Sequence, residues 1–284
     1  MKPLLLTILF CLANVFVFAQ KQTYNFLKVN TGNGLSHNQV NAILKDTDGF
    51  VWFGTMSGLN RYDGYEVKTF RKKLDDSTSL KDNSILSLAQ LPGGKMWVMT
   101  RSGSCIYNSS SEKFEPDVNA YLRSLGLPAG TVSKIVDGNK DRFWFLYDNG
   151  DIYLYTGKRN KAQLIYKDPV PGKQGKSVSL QEIDGDRVWI VFQSGILQLF
   201  DFKHGKVLKT FPTILSSEGG NIQYDLYVDA DGDLWVWNYM NGIYYLHPPD
   251  NTIRQFNEKW GSNRISSNII SQVVQDSEGK IWIG

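Results

Sequence analysis

The stretch Asp46-Thr47-Asp48-Gly49-Phe50-Val51-Trp52-Phe53-Gly54-Thr55-Met56-Ser57-Gly58-Leu59-Asn60-Arg61-Tyr62 reads as a hairpin. Asp46, Asp48 and Gly49 are turn formers, and Phe50 to Phe53 is a short aromatic and β-branched run of strand type. Gly58 permits a second reversal before Leu59–Tyr62, which alternates apolar and polar residues. The stretch matters because it recurs. Tryptophans stand at Trp52, Trp97, Trp144, Trp189, Trp235 and Trp282, spaced by 45, 47, 45, 46 and 47 residues. A period of this length is the signature of a repeat architecture.

The register around each tryptophan recurs as well. Three residues before it stand Gly49, Gly94, Asp141, Asp186, Gly232 and Gly279. Six residues after it stand Gly58, Gly103, Gly150 and Gly195, and the fifth copy has Gly242 one place later. Upstream, Leu35-Ser36-His37-Asn38-Gln39-Val40 is echoed by Ile265-Ser266-Ser267-Asn268-Ile269-Ile270 and, more weakly, by Leu80–Ile85. Downstream lies a fourth strand-like element: Val67–Phe70, Leu164–Tyr166, Val207–Phe211 and Ile253–Phe256. Each unit thus holds four short strands, and none shows a helical period longer than a turn or so. Four antiparallel strands per unit, arranged radially, give an all-β fold, a β-propeller of four-stranded antiparallel blades. The chain spans five blades and part of a sixth. A blade cannot bury both faces alone, so the six tryptophans are predicted to pack between blades, with no catalytic or stacking role.

Residues 1–19 read as a secretory signal: Lys2 gives the positive start, Leu4 to Phe18 is nearly all apolar, and Val17 and Ala19 are small residues before a cut. The apolar run is short for a membrane span. Removing Lys2 with this leader leaves 30 basic against 28 acidic residues. That balance, without a basic stripe along the sequence, argues against nucleic acid as a partner. Cys11 leaves with the signal, so Cys105 stays alone in the exported chain, and its strand neighbours predict a buried, inert thiol. Residues 20–284 form the propeller. Tyr24–Val29 resembles the fourth-strand element and is predicted to complete the last blade and close the ring. The chain stops inside strand two of blade six, which predicts a truncated stretch of a longer protein.

Alternation of strand direction puts the loop before strand one and the loop between strands two and three on one face. The Asp-Gly turns fall on the other. The loops of the first face vary most: Met99–Ser102, Leu146–Asn149, Val191–Ser194 and Trp237–Asn241. Aromatic rings beside amides and charges suit a hydroxyl-rich ligand, the ring covering the sugar's C–H face while polar groups fix its hydroxyls. Arg101, Tyr147, Phe192, Trp237 and Tyr239 are therefore the candidate ligand-binding residues, with filling of the space between blades as the competing role. His37, His204 and His247 stand far apart and form no metal spacing. Asp229-Ala230-Asp231-Gly232-Asp233 lacks the glycine and distal glutamate of a calcium loop, so a tight turn is expected. No catalytic residue, metal site or cofactor is predicted.

The pattern Asp-x-x-Gly-x-Val/Ile-Trp-Ile/Phe-Gly-Thr-x-x-Gly-Leu-x-x-Tyr-Asp, preceded by Leu-Ser-x-Asn-x-Val, resembles the two-component regulator propeller repeat. Leu35–Asp63 and Ile265–Gly284 carry it most clearly, and blades three to five carry it weakly. The resemblance implies the periplasmic sensor part of a hybrid two-component system of the kind found in Bacteroidetes. There, seven-bladed propellers and an immunoglobulin-like domain precede a membrane helix and a histidine kinase. It implies a periplasmic location, an inner-membrane anchor supplied downstream and an oligosaccharide ligand, and it leaves open a homodimer of the full-length sensor. A WD40 repeat would place aspartate after the tryptophan, but Phe53, Val98, Phe145, Ile190, Val236 and Ile283 stand there. The sialidase-type aspartate position holds aspartate only at Asp184. A propeller lyase or glycosidase and a non-signalling surface scaffold are the alternatives.

Overall fold

The computed structural model describes residues 29–138, 141–167, 175–212, 223–259 and 264–284. These form five antiparallel four-stranded sheets and one two-stranded sheet, with each sheet's strands in consecutive order. Blade 1 comprises β1 (Val40–Lys45), β2 (Val51–Thr55), β3 (Gly58–Tyr62) and β4 (Val67–Phe70). Blade 2 comprises β5 (Ile85–Gln90), β6 (Met96–Thr100), β7 (Gly103–Asn108) and β8 (Lys113–Glu115). Blade 3 holds β9 (Val132–Asp137), β10 (Arg142–Tyr147), β11 (Ile152–Thr156) and β12 (Lys161–Tyr166). Blade 4 holds β13 (Ser177–Glu182), β14 (Arg187–Phe192), β15 (Leu197–Asp201) and β16 (Lys206–Phe211). Blade 5 holds β17 (Tyr224–Val228), β18 (Leu234–Asn238), β19 (Ile243–His247) and β20 (Thr252–Phe256). The last sheet pairs β21 (Val273–Gln275) with β22 (Ile281–Ile283). Residues 24–28, most of the segment expected to close the ring, lie outside the described residues.

The first strand of each blade lies beside the first strand of the next, so these strands form the centre of the fold. Facing Met99, Leu146, Val191 and Trp237 across the first sheet ladder are Ser87, Lys134, Ser179 and Asp225. Three of these inner residues meet across three blades. Lys134 Nζ donates to Ser179 Oγ at 2.9 Å and to Asp225 Oδ1 at 2.6 Å, and Ser179 Oγ donates to the same carboxylate at 2.6 Å.

Side chains alternate along a strand, so each blade offers one apolar set to its predecessor and another to its successor. In the first five blades the repeat tryptophan belongs to the second set, whereas Trp282 in the last sheet is 58% exposed, against the expectation that all six pack between blades. Trp52 packs on Met96, Val98 and Tyr107 of blade 2. Trp97 packs on Phe143 and Phe145 of blade 3, and Trp144 on Val188 and Ile190 of blade 4. Trp189 meets Leu234 and Val236 of blade 5. The first four are at most 3% exposed. Burying one such ring removes on the order of 200 Å² from water, which stabilises by about 5 kcal/mol before entropy.

The turn aspartate does more than shape the turn. Asp46 Oδ1 accepts from the backbone N–H of Asp48 and Phe50, and its Oδ2 accepts from Trp52 Nε1 at 2.6 Å. Asp229 serves Trp235 in the same way at 2.9 Å, and Asp276 serves Trp282 at 2.6 Å. Six residues before the other three tryptophans stand Leu91, Gly138 and Ile183, which have no carboxylate. Trp144 instead donates to Glu182 of the next blade at 3.1 Å, and the indole N–H of Trp97 is buried without a partner. The unit pattern Asp-x5-Trp therefore carries its own acceptor for the indole, in blades 1 and 5 and in the last sheet.

The turn glycines take positive φ, +91° at Gly49 and +85° at Gly232. In blade 3 Asp141 takes the equivalent place at φ +60°, a conformation aspartate tolerates better than most residues. Nothing lies within 4 Å of a Cβ added at Gly49 or Gly232, so the cost of a side chain there is conformational. Gly49→Val and Gly232→Val are each expected to lower stability by about 1 kcal/mol or more in a denaturant titration. An unchanged midpoint at constant slope would contradict the turn assignment.

One element departs from the sequence reading. Between blades 2 and 3 lies a helix, α1 (Val118–Ser124), capped by Asp117, whose side chain accepts from the Ala120 N–H at 3.0 Å. Its Tyr121 and Leu122 are buried with Leu125 in the core between blades 2 and 3. Val118, Tyr121, Leu122 and Leu125 follow the i, i+3, i+4, i+7 rule, a signal present in the sequence but confined to two turns.

Candidate ligand face

The two loop sets expected on one face do lie together. Ser36, in the loop before β1, donates its N–H to Asn60 Oδ1 at 2.9 Å, and its hydroxyl sits 2.8 Å from that of Thr55. In blades 2, 3 and 4 the residue after strand two donates its N–H to a carbonyl just before strand one. These pairs are Arg101 to Ser84, Asp148 to Thr131 and Gln193 to Lys176, at 2.9 to 3.0 Å. Gly242 N–H reaches Asn268, in the approach to β21, at 3.0 Å. This candidate face is therefore built from hairpin turns held by a recurrent backbone bond, on the side opposite the Asp-Gly turns.

The five candidate residues divide by exposure. Arg101 is exposed, and Tyr239 is 64% exposed in the turn after β18. Tyr147, Phe192 and Trp237 are buried between blades, at 4%, 0% and 6% exposure, and no ligand reaches them in this arrangement. The strands extend further than the loop reading of Tyr147 and Phe192 allowed, since both belong to strand two of their blades, and Trp237 lies on strand two with Trp235. Alternation then fixes their direction. Trp237 lies two residues beyond Trp235 and shares its side, packing on Ile243, Ile270 and Val273. Tyr147 and Phe192 lie three beyond their tryptophans and face the preceding blade. Tyr147 also donates its hydroxyl to the Pro128 carbonyl at 2.8 Å, and burial pushes its pKa up. The aromatic residues that varied most were varying in the interblade core.

Around Arg101 the face is polar and ordered. Asp82 accepts from Ser102 Oγ at 2.6 Å and from the Ser84 N–H at 2.8 Å. These bonds, the Ser102 one foremost, hold its carboxyl below the usual range. Met56, in the blade 1 hairpin, is 37% exposed and lies 3.6 Å from Ser84 Oγ. Between blades 2 and 3 a cavity of about 110 Å³ is lined by Ser87, Trp97, Met99, Val132 and Lys134. It has room for a few water molecules, not for a sugar chain. An oligosaccharide would have to lie on the open face.

Other predicted groups fall into structural roles. In the Asp229 turn, Oδ1 accepts from the Asp231 and Asp233 N–H groups, as a tight turn requires. Asp233 is engaged by Tyr245 Oη at 2.5 Å and His247 Nδ1 at 2.6 Å, and the first bond pushes the Tyr245 hydroxyl up to about 12. His37 caps a turn by accepting from the Gln39 N–H, and His204 pairs with Asp201. Among the described residues no group of acids, histidines and cysteines could hold a metal ion, and no helix is long and apolar enough to cross a membrane. Cys105 is 1% exposed in β7, and desolvation pushes its thiol up to about 11, the inert state expected.

Comparison with known proteins places this architecture. Residues 34–57 match the two component regulator propeller family. A 73-residue segment is 37% identical to histidine kinase P4 of Formosa agariphila, covering 26% of this chain and 5% of that kinase. Among solved structures, the extracellular domain assigned to the hybrid two component system BT3049 of B. thetaiotaomicron superposes with a TM-score of 0.53. Identity there is 22%, over 92% of this chain and 40% of that one. PorZ, a surface component of the type-IX secretion system of Porphyromonas gingivalis, superposes with a TM-score of 0.55 at 13% identity, over 87% of this chain and 37% of that one. The chain thus spans well under half of each of these two solved chains. These likenesses establish the fold, and the match at 34–57 coincides with the approach loop, β1, β2 and the first hairpin turn. The chain is a β-propeller that carries the two component regulator propeller repeat in its first blade.

Proposed function

We propose that this chain is the extracytoplasmic, ligand-sensing propeller of a two-component sensor, that it binds an oligosaccharide without altering it, and that a kinase elsewhere in the parent protein receives the signal. The observation that carries the reading is the coincidence of two features in blade 1. The segment matching the regulator propeller family is also the one with a complete Asp46–Trp52 turn and a tethered ligand-face hairpin. The 37% identity to a histidine kinase over 73 residues supports the same class. Exposed Tyr239 offers a ring to a sugar's C–H face, with Asn241 beside it to fix hydroxyls. A scaffold role is the second reading, favoured by the likeness to PorZ. It differs in requiring no small ligand.

Calorimetry of the intact protein against a panel of plant and host oligosaccharides separates the two. Binding of one glycan class is expected, with Tyr239→Ala weakening it about fivefold or more, the scale of one lost aromatic contact. Absence of binding across the panel would overturn the sensing role. Release of shortened sugars would move the protein to the lyase or glycosidase class.

A further inference from the structure

We infer that the ligand face of blades 1 and 2 takes an anionic oligosaccharide through Lys72, Lys81 and Arg101; the inference rests on the sensing role proposed above and narrows its ligand class. The sequence hides this cluster because the three cations are spread over 30 positions. The fold brings Lys72 and Arg101 within electrostatic reach of Asp82 and lays Lys81 along the same hairpin. Lys72 is fixed at its backbone N–H by Asn83 Oδ1 at 2.8 Å. Lys81 lies along the blade 2 hairpin, where its Nζ would be 3.2 Å from a Cβ added at Gly103. Arg101 sits in that hairpin, held through its N–H by Ser84. All three side chains are exposed.

Asp82 lies within the electrostatic reach of Lys72 and Arg101. Its carboxylate is committed to Ser102 and to the Ser84 N–H, and among the described residues no ion pair involves Lys72, Lys81 or Arg101. Across residues 72–84 and 101–102 four basic residues, Lys72, Lys73, Lys81 and Arg101, stand against three aspartates, Asp75, Asp76 and Asp82, which leaves positive charge in excess. Arg71 adds to it at the neighbouring hairpin, where its Nε donates to the Ser57 carbonyl at 3.0 Å. The other blades contrast with this sector. Lys176 is paired with Asp148 at 3.0 Å on the blade 3 hairpin, and the turns Gln193-Ser194 and Tyr239-Met240-Asn241 carry no charge.

An array of exposed ammonium and guanidinium groups on ordered backbone fits carboxylates or sulfates spaced along a chain, with Arg101 able to bind either in a bidentate fork. Met56 supplies an apolar surface beside the cations for the sugar ring itself. A uronic acid and a sulfate ester share this chemistry, so both belong in the test.

The test is calorimetry of the intact protein with three oligosaccharides: an oligouronate, a sulfated galactan oligosaccharide and an uncharged glucan of similar length. Each is titrated at low and at physiological ionic strength. The inference expects one anionic glycan to bind most tightly, with affinity falling as salt is added. Lys81→Gln/Arg101→Gln should reduce that affinity about tenfold and flatten its salt dependence, while thermal melting is unchanged because both groups are exposed. Which anionic arm binds distinguishes carboxylate from sulfate. Preference for the uncharged glucan, or unaltered binding by the double variant, overturns the inference and leaves the sensing role standing. If no glycan of any kind binds, the sensing role falls and the inference with it.

Discussion

Glu182→Ala is expected to destabilise the propeller by about 3 kcal/mol or more, out of proportion to the size of the group removed. Glu182 is the last residue of β13, with a side chain only 3% exposed, and it serves two residues of the preceding blade. Its Oε1 lies 2.7 Å from Arg142 Nη2, and its Oε2 accepts from Trp144 Nε1 at 3.1 Å. Arg142 is itself largely covered, with a side chain 15% exposed. Removing the carboxylate would take the counter-charge from the Arg142 guanidinium, which keeps its bond to the Gly185 carbonyl, and the acceptor from the Trp144 indole N–H, and the loss of one partner of a covered pair costs more than the pair is worth. Glu182→Gln retains an acceptor for the indole and should cost roughly half as much. A urea titration decides the matter. A loss below about 1 kcal/mol for alanine would show that water or a neighbour replaces the carboxylate.

Trp52→Ala is the second large effect, expected at about 4 kcal/mol. Trp52 is 1% exposed, with Phe70 stacked at 5.7 Å and Tyr107 edge-on at 4.8 Å between ring centres. Alanine would leave a cavity between blades 1 and 2 as well as removing apolar area. Asp46→Ala should cost less, about 2 kcal/mol, since it removes three hydrogen bonds at a partly solvated turn. Folded Trp52→Ala protein should still bind ligand. A stable variant that had lost binding would transfer the tryptophan from the frame to the site.

Most of the frame was legible because the repeat states it six times. Strand order, the hairpin at Gly58 and the positive φ at Gly49 and Gly232 all follow from residue types at fixed offsets from the tryptophan. The Asp-x5-Trp bond was equally visible as a spacing, yet its chemistry shows only when the indole N–H is followed to an acceptor. Helix α1 was missed because it breaks the repeat, although its apolar spacing and Asp117 cap were readable. The site was read less well, for a definite physical reason. Tyr147 and Phe192 read as loop residues by their variation, yet both close strand two, and strand alternation turns them and Trp237, also on strand two, between blades. Arg101 and Tyr239 lie beyond the strand ends and escape that constraint. The clustering of Lys72 and Lys81 beside Arg101 depends on how the loop between β4 and β5 folds back onto the blade 2 hairpin, and no local pattern encodes that contact.

In the proposed sensing role one face of the propeller is frame and the other reads the ligand. Hydrogen–deuterium exchange of the intact protein, free and saturated with whichever glycan calorimetry shows to bind, decides between the two faces. The expected result is new protection in the hairpin turns at 56–57, 101–102 and 239–241 and in the loop at 81–84, with the turns at 47–49, 230–232 and 277–279 unchanged. Protection gained at the Asp-Gly turns, with the hairpin turns still exchanging freely, would contradict the account.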